Sequence, residues 1–278
     1  MKHKHLIFSI LFVLAMLSDV KQSYSQFLAK LTVGYKGGIN FSVPHNITSY
    51  TIISDINGNR NQNSYKVFSQ NLAANYHFII QYNFYKNIGI GIYPGFTTQK
   101  YRYFINYNWE NAGGFTRNQT FNQKLNFITV PVLFRYEYPI KNVKLFIETG
   151  FNTGILINAY NNPVTETFEP ITNRLLKSED DAFTNTNNFR KFDFGIQANI
   201  GAYYQIKRFK LGVETGYTYD LNYQAIKNNR FINSDFWGSY YDIPDDVKIS
   251  VWTIQLIAAF QLKCIQENIP ARYKKITE

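Results

Sequence analysis

Hydrophobic side chains recur at every second position through much of this chain. In residues 31–42 one face collects Leu31, Val33, Tyr35, Gly37, Ile39 and Phe41, and the other Thr32, Gly34, Lys36, Gly38, Asn40 and Ser42. A β-strand points successive side chains to opposite faces, so this period predicts a strand with one apolar side. Residues 71–84 repeat it more strictly: Leu72, Ala74, Tyr76, Phe78, Ile80, Tyr82 and Phe84 alternate with Asn71, Ala73, Asn75, His77, Ile79, Gln81 and Asn83. A helix would mix the two sets. A third strand carries Ile88, Ile90, Ile92 and Phe96 against Gly89, Gly91, Tyr93 and Gly95, where the glycines relieve crowding on the inner face. Pro94 lacks a donor, which predicts a bulge or kink and leaves the register beyond it, through Tyr101 and Tyr103, open.

Five more segments read the same way. The fourth shows Ile128, Val130, Val132, Phe134, Tyr136 and Tyr138 outward and Phe127, Thr129, Pro131, Leu133, Arg135 and Glu137 inward. The fifth sets Val143, Leu145, Ile147, Phe151, Ile155 and Ile157 against Lys144, Glu148, Gly150, Asn152 and Gly154. The sixth, seventh and eighth centre on the apolar rows Phe192 to Ile206, Phe209 to Tyr219 and Trp252 to Leu262. Short turns at Lys86-Asn87, 139–142 and Lys207-Arg208 alternate with long polar connections at 43–67, 100–124, 160–190 and 224–248.

No uninterrupted apolar run reaches the roughly twenty residues a spanning helix needs, and in lipid only helices and closed barrels satisfy every backbone polar group. The expected fold is all-β, a transmembrane antiparallel up-and-down β-barrel of about eight strands with long extracellular loops, short periplasmic turns and both termini in the periplasm. The competing fold is a soluble secreted β protein whose apolar rows cover a core. Such a protein has no reason to sort its loops by length.

Composition and the termini refine this picture. Residues 1–25 open on Lys2 and Lys4, continue apolar over 6–17 and end on Ser23, Tyr24 and Ser25. That layout predicts a secretory signal peptide cleaved before Gln26; a retained anchor helix is the alternative, and its apolar run is short. The expected organisation is signal peptide 1–25, barrel 26–262 and a basic periplasmic tail 263–278. The tail carries Arg272, Lys274 and Lys275 and either meets anionic headgroups or a periplasmic partner, or is a disordered end. The formal charge is +10. In an exported chain this excess points to outer-membrane lipid headgroups rather than nucleic acid. The single cysteine, Cys264, cannot form an internal disulfide.

Several segments resemble the PorT-like outer-membrane β-barrel family: Val33-Gly34-Tyr35-Lys36-Gly37-Gly38-Ile39-Asn40, Phe127-Ile128-Thr129-Val130-Pro131-Val132-Leu133, Phe146-Ile147-Glu148-Thr149-Gly150 and Asp193-Phe194-Gly195. The resemblance covers nearly the whole chain after the leader. It implies an integral barrel of Gram-negative bacteria, in a family whose founding member is needed for type IX secretion and gliding. It departs from the usual barrel ending, because about sixteen residues follow Leu262, which makes 252–260 an internal insertion signal.

The strand phases also choose the candidate functional residues. Lys36, Arg135, Glu137, Lys144, Glu148, Asp193, Lys210, Glu214 and Asp220 all fall on inward rows. Buried charges must be paired, so these predict a salt-bridged polar plug centred on Arg135, Glu148 and Glu214, with Glu137, Lys144 and Asp193 in the same network. A catalytic or proton-relay carboxylate pair is the rival reading. Lys86, Lys141, Lys144, Lys207, Arg208, Lys210 and Lys263 gather near the periplasmic ends. Of these, Lys86, Lys141, Lys207 and Arg208 form the candidate basic patch, which either holds headgroups or an acidic partner or is simply solvated. His45 and His77 are far apart and no His/Cys spacing suggests a metal, so no metal or cofactor is expected. His77 reads as a hydrogen-bonded inward residue. Ser42 and His45 lie near the outer mouth but are not a triad. The expected function is non-enzymatic: a barrel that binds protein partners in the periplasm or at the cell surface, within a secretion or surface system. A narrow pore or transporter is the alternative, and a lipid-modifying enzyme the third reading.

Overall fold

A computed structural model describes residues 30–50, 64–66, 71–85, 87–109, 115–179, 181–229 and 243–262. The expected signal peptide, the basic tail with Cys264 and Lys263, and Lys86 lie outside the described residues. Among the described residues thirteen strands form one sheet: β1 (Leu31–Thr48), β2 (Ser64–Lys66), β3 (Leu72–Tyr82), β4 (Ile88–Ile92), β5 (Gly95–Trp109), β6 (Phe115–Thr129), β7 (Val132–Ile140), β8 (Val143–Glu169), β9 (Arg174–Glu179), β10 (Phe183–Thr184), β11 (Phe192–Ile206), β12 (Phe209–Asp220) and β13 (Asp246–Gln261). Taken with β4–β5 and β6–β7 as continuous walls, they make a ring of eight antiparallel segments, closed where β13 pairs with β1. No helix among the described residues is long and apolar enough to cross a membrane; the crossings are made by strands.

The outward rows carry Phe78, Ile200 and Leu256, each at least 60 % exposed, in a continuous apolar wall. Water would not tolerate a patch of that extent, whereas hydrocarbon does. The opposite rows face the lumen and are buried. Short turns at one end and long connections at the other put the former in the periplasm and the latter outside the cell.

Pro94 does not produce the expected bulge. Ile80 faces Ile92 before it and His77 faces Gly95 after it, which is the same offset, so the register runs through. Pro131, expected inside an unbroken strand, interrupts the neighbouring wall between β6 and β7, also without a shift. Tyr93 therefore sits opposite Pro131 and donates its N–H to the Pro131 carbonyl at 2.9 Å. The two missing donors fall at one place in the wall, which divides two ladders while leaving the side-chain phase intact.

A true bulge occurs elsewhere. Phe127 pairs with Leu156 but Asn126 with Asn158, so Ile157 is an extra residue in β8. Beyond it, the expected polar loops at 100–124 and 160–190 are largely ordered strand: β5, β6, β8 and β9 continue past the membrane as an extracellular sheet, with β2 added on β5.

Candidate functional site

The inward rows converge on a filled lumen, and its periplasmic half is ionic. Arg135 on β7 lies between two carboxylates, with Nη1 3.0 Å from Glu148 Oε1 and Nε 3.0 Å from Glu137 Oε1. Its guanidinium lies over the Phe146 ring, 3.6 Å from the centroid, an arrangement the planar, delocalised cation favours. Glu137 also accepts the Tyr203 hydroxyl at 2.7 Å and the Gln81 amide at 3.2 Å, and lies 3.6 Å from Lys144 Nζ. Glu148 accepts further hydrogen bonds from the Tyr93 hydroxyl and, at 3.1 Å, from Asn199. Lys36 on β1 donates to Glu214 on β12 at 2.6 Å and sits 3.9 Å from the Tyr93 ring centroid. Tyr93 thus joins the Lys36–Glu214 pair to the Arg135 group. Lys210 donates to Thr32 Oγ1 at 3.2 Å.

Asp193 stands apart from this network. Gln224 Nε2 bridges it to Asp220, at 3.3 Å from Asp193 Oδ1 and 3.2 Å from Asp220 Oδ2. On β11 the residue facing Glu148 is Asn199, six positions beyond Asp193, or about 20 Å along a strand. Both carboxylates point inward, but they lie at different heights.

Above the ions is a neutral polar layer. His77 Nε2 lies 3.0 Å from Thr129 Oγ1, and Gln255 Nε2 lies 3.3 Å from His77 Nδ1 and 2.6 Å from Asn75 Oδ1. Ser42 Oγ accepts from the Lys100 backbone at 3.1 Å, while His45 Nδ1 lies 3.3 Å from Ser250 Oγ, so the two have separate partners.

The extracellular third of the lumen adds an apolar cluster, which the strand-by-strand reading missed, beside buried polar side chains such as Gln123, Asn161 and Asn185. Tyr101, Tyr103 and Tyr107 from β5, Phe121, Leu125 and Phe127 from β6, and Val247, Ile249 and Val251 from β13 are buried together. Phe121 is fully buried and stacks on Tyr103 with centroids 4.8 Å apart. The signal was present in the sequence as Tyr101, Tyr103, Ile105 and Tyr107 at alternate positions.

At the periplasmic rim, Lys141, Lys207 and Arg208 are exposed on two hairpin turns joined by the Gln205 N–H to Asn142 carbonyl bond of 3.0 Å. Lys141 and Lys207 each have a φ of 53°, the left-handed conformation in which hairpin turns favour Gly or Asn. These three members of the expected patch share one side of the rim.

A family model described as "Outer membrane protein beta-barrel domain" matches residues 21–223. The chain belongs to that family. Among curated proteins no relative matches. Solved structures similar to this outer-membrane barrel include Neisserial surface protein A, with 8 % identity, a TM-score of 0.33 and coverage of 84 % of this chain and 97 % of that one. Ail of Yersinia pestis is 11 % identical over 82 % and 98 % of the two chains, with a TM-score of 0.31. The protease OmpT of Escherichia coli is 10 % identical over 84 % and 96 %, with a TM-score of 0.34.

The family match stops before β13, yet β13 is the strand that closes this outer-membrane barrel, pairing with β1 on one side and β12 on the other. Chemically, the centre of the ionic half holds its charges in mutual contact. Arg135, Glu137, Glu148, Lys36 and Glu214 are each within 4 Å of an opposite charge and almost fully buried. Burial at that level is tolerated because each ion has its counter-ion, with further hydrogen bonds to Glu137 and Glu148 and the Tyr93 ring beside Lys36.

Proposed function

We propose that the protein is a non-enzymatic, sealed outer-membrane barrel that acts by binding a protein partner. In this reading it is an accessory component of a secretion or surface system of the kind its PorT-like segments imply. The observation that carries this reading is the filled lumen: ion pairs in the periplasmic half, amides and hydroxyls in the middle, aromatic rings at the outer end. A conduit needs a continuous water path, and neither layered ion pairs nor stacked rings provide one. Specificity then resides on the surfaces the barrel displays.

The extracellular sheet supplies such a surface. All six residues of β9 are exposed; one edge pairs with β8, and among the described residues no strand pairs the other. Leu175 and Leu176 are both more than half exposed there. An open strand edge with exposed apolar side chains is suited to adding a strand from another chain.

Two measurements test the proposal. Planar-bilayer recordings of the purified protein are expected to be silent, and reproducible conductance steps would replace this reading with the pore. Photo-crosslinkers placed at Leu175 and Lys177 in native outer membranes are expected to yield a discrete protein adduct that Leu176→Pro removes. Absence of any adduct counts against the β9 edge.

A further inference from the structure

At the extracellular end, the lipid-facing row of β11 finishes on Phe194 and Phe192, each about half exposed. The two residues before them are Lys191 and Arg190, both exposed. The segment following β12 lies alongside, held by the Phe189–Ala225 bridge and by the Arg190 N–H to Gln224 carbonyl and Ile226 N–H to Asn188 carbonyl bonds of 2.8 and 2.9 Å. Together they line a groove of about 720 Å³ that contains Arg190, Lys191 and Lys227 above Phe192 and Phe194, with Asn222 and Asn228 on its sides.

The charge of this groove is one-sided. Lys227 Nζ lies 3.8 Å from Asp246, while the nearby Asp193 and Asp220 face the lumen and are bridged there by Gln224. Among the described residues, three cations therefore meet one acid. Their height is fixed by the fold: the rings below them belong to the hydrocarbon wall, so the cations stand at headgroup level. An occupant must place hydrocarbon against two phenylalanines and concentrated negative charge directly above. In the outer leaflet the molecule with both features is a phosphorylated glycolipid.

We propose that this groove binds the phosphorylated headgroup of an outer-leaflet glycolipid, with Arg190, Lys191 and Lys227 on phosphate and an acyl chain along Phe192 and Phe194. Arginine and lysine supply charge-assisted hydrogen bonds to phosphate, and the two asparagines offer amides to sugar hydroxyls. The site is on the outer wall and is independent of the β9 edge.

The test uses the full chain, purified in detergent and stripped of lipid, with lipid A, dephosphorylated lipid A and inorganic phosphate as probes and native mass spectrometry as the readout. Lipid A is expected to bind. The variant Arg190→Gln/Lys191→Gln/Lys227→Gln should lose affinity on the order of 100-fold, from about 1 kcal/mol per basic residue. Arg190→Lys should stay within a few-fold of the parent, as should the control Lys141→Gln/Lys207→Gln/Arg208→Gln on the opposite rim. Heat-modifiable gel migration establishes that each variant is folded. Equal binding by the triple variant, equal binding of dephosphorylated lipid A, or displacement of lipid A by an equal concentration of inorganic phosphate would each overturn the proposal.

Discussion

Lys36→Met leaves Glu214 as a carboxylate with 1 % of its side chain exposed, deprived of the ammonium it contacts at 2.6 Å. Breaking one side of a buried ion pair costs about 3–5 kcal/mol, because the remaining charge stays desolvated. Removing both charges while keeping the volume, in Lys36→Met/Glu214→Leu, should return stability to within about 2 kcal/mol of the parent, since well-packed apolar replacements of buried pairs are close to neutral. The coupling between the two positions is therefore expected to be about 3 kcal/mol or more. Urea titration in phospholipid vesicles, followed by heat-modifiable gel migration, measures all four species of the cycle. If the lumen were wet, the pair would behave as a solvent-exposed one worth about 0–1 kcal/mol and would weaken further with salt. Single substitutions that each cost under about 1 kcal/mol and simply add would refute the argument from burial.

Two other perturbations probe the remaining parts of the lumen. Phe121→Ala empties a fully buried position in the aromatic layer and should cost about 3–5 kcal/mol, with the damage appearing first as faster protease cleavage of the extracellular sheet; an unchanged digestion profile would contradict the packing described. At Gly91 an added Cβ would come within 2.2 Å of the Tyr93 hydroxyl, so Gly91→Val should displace that ring from Glu148 and lower stability by about 1–3 kcal/mol in the same urea assay.

The membrane part of the fold was open to a reading by period because each strand there has lipid on one side and lumen on the other. In β3 every second residue from Leu72 to Ile80 is exposed or half-buried and the intervening ones are buried, as the alternation alone requires. The extracellular sheet was hidden for two physical reasons. Tyr101, Tyr103 and Tyr107 alternate with Lys100, Arg102 and Asn106 in a stretch whose overall composition looks like loop, although tyrosine buries its ring as readily as a hydrocarbon side chain. In β8 the bulge at Ile157 moves the buried positions from Leu156 to Ala159 and Asn161, so a phase carried unbroken from Val143 would point Asn158 and Tyr160 inward and erase the pattern. The candidate charges were legible in direction but not in height. A strand's phase says that Asp193 and Glu148 both face inward; the stagger between strands decides that one joins Gln224 and the other Arg135.

Lys36 and Glu214 lie 178 positions apart in the chain, and the pairing of β1 with β13 joins its first described strand to its last. During assembly the counter-ion for Lys36 therefore arrives only with the final hairpin. Contacts this distant in sequence form late, after most of the loop entropy has been lost. An open sheet entering hydrocarbon would carry the Lys36 ammonium and two unpaired strand edges with it, both costly in a medium that offers no hydrogen bonds. Closure of the ring and entry into the bilayer are consequently coupled in time, and the β1 edge needs cover until β13 is delivered.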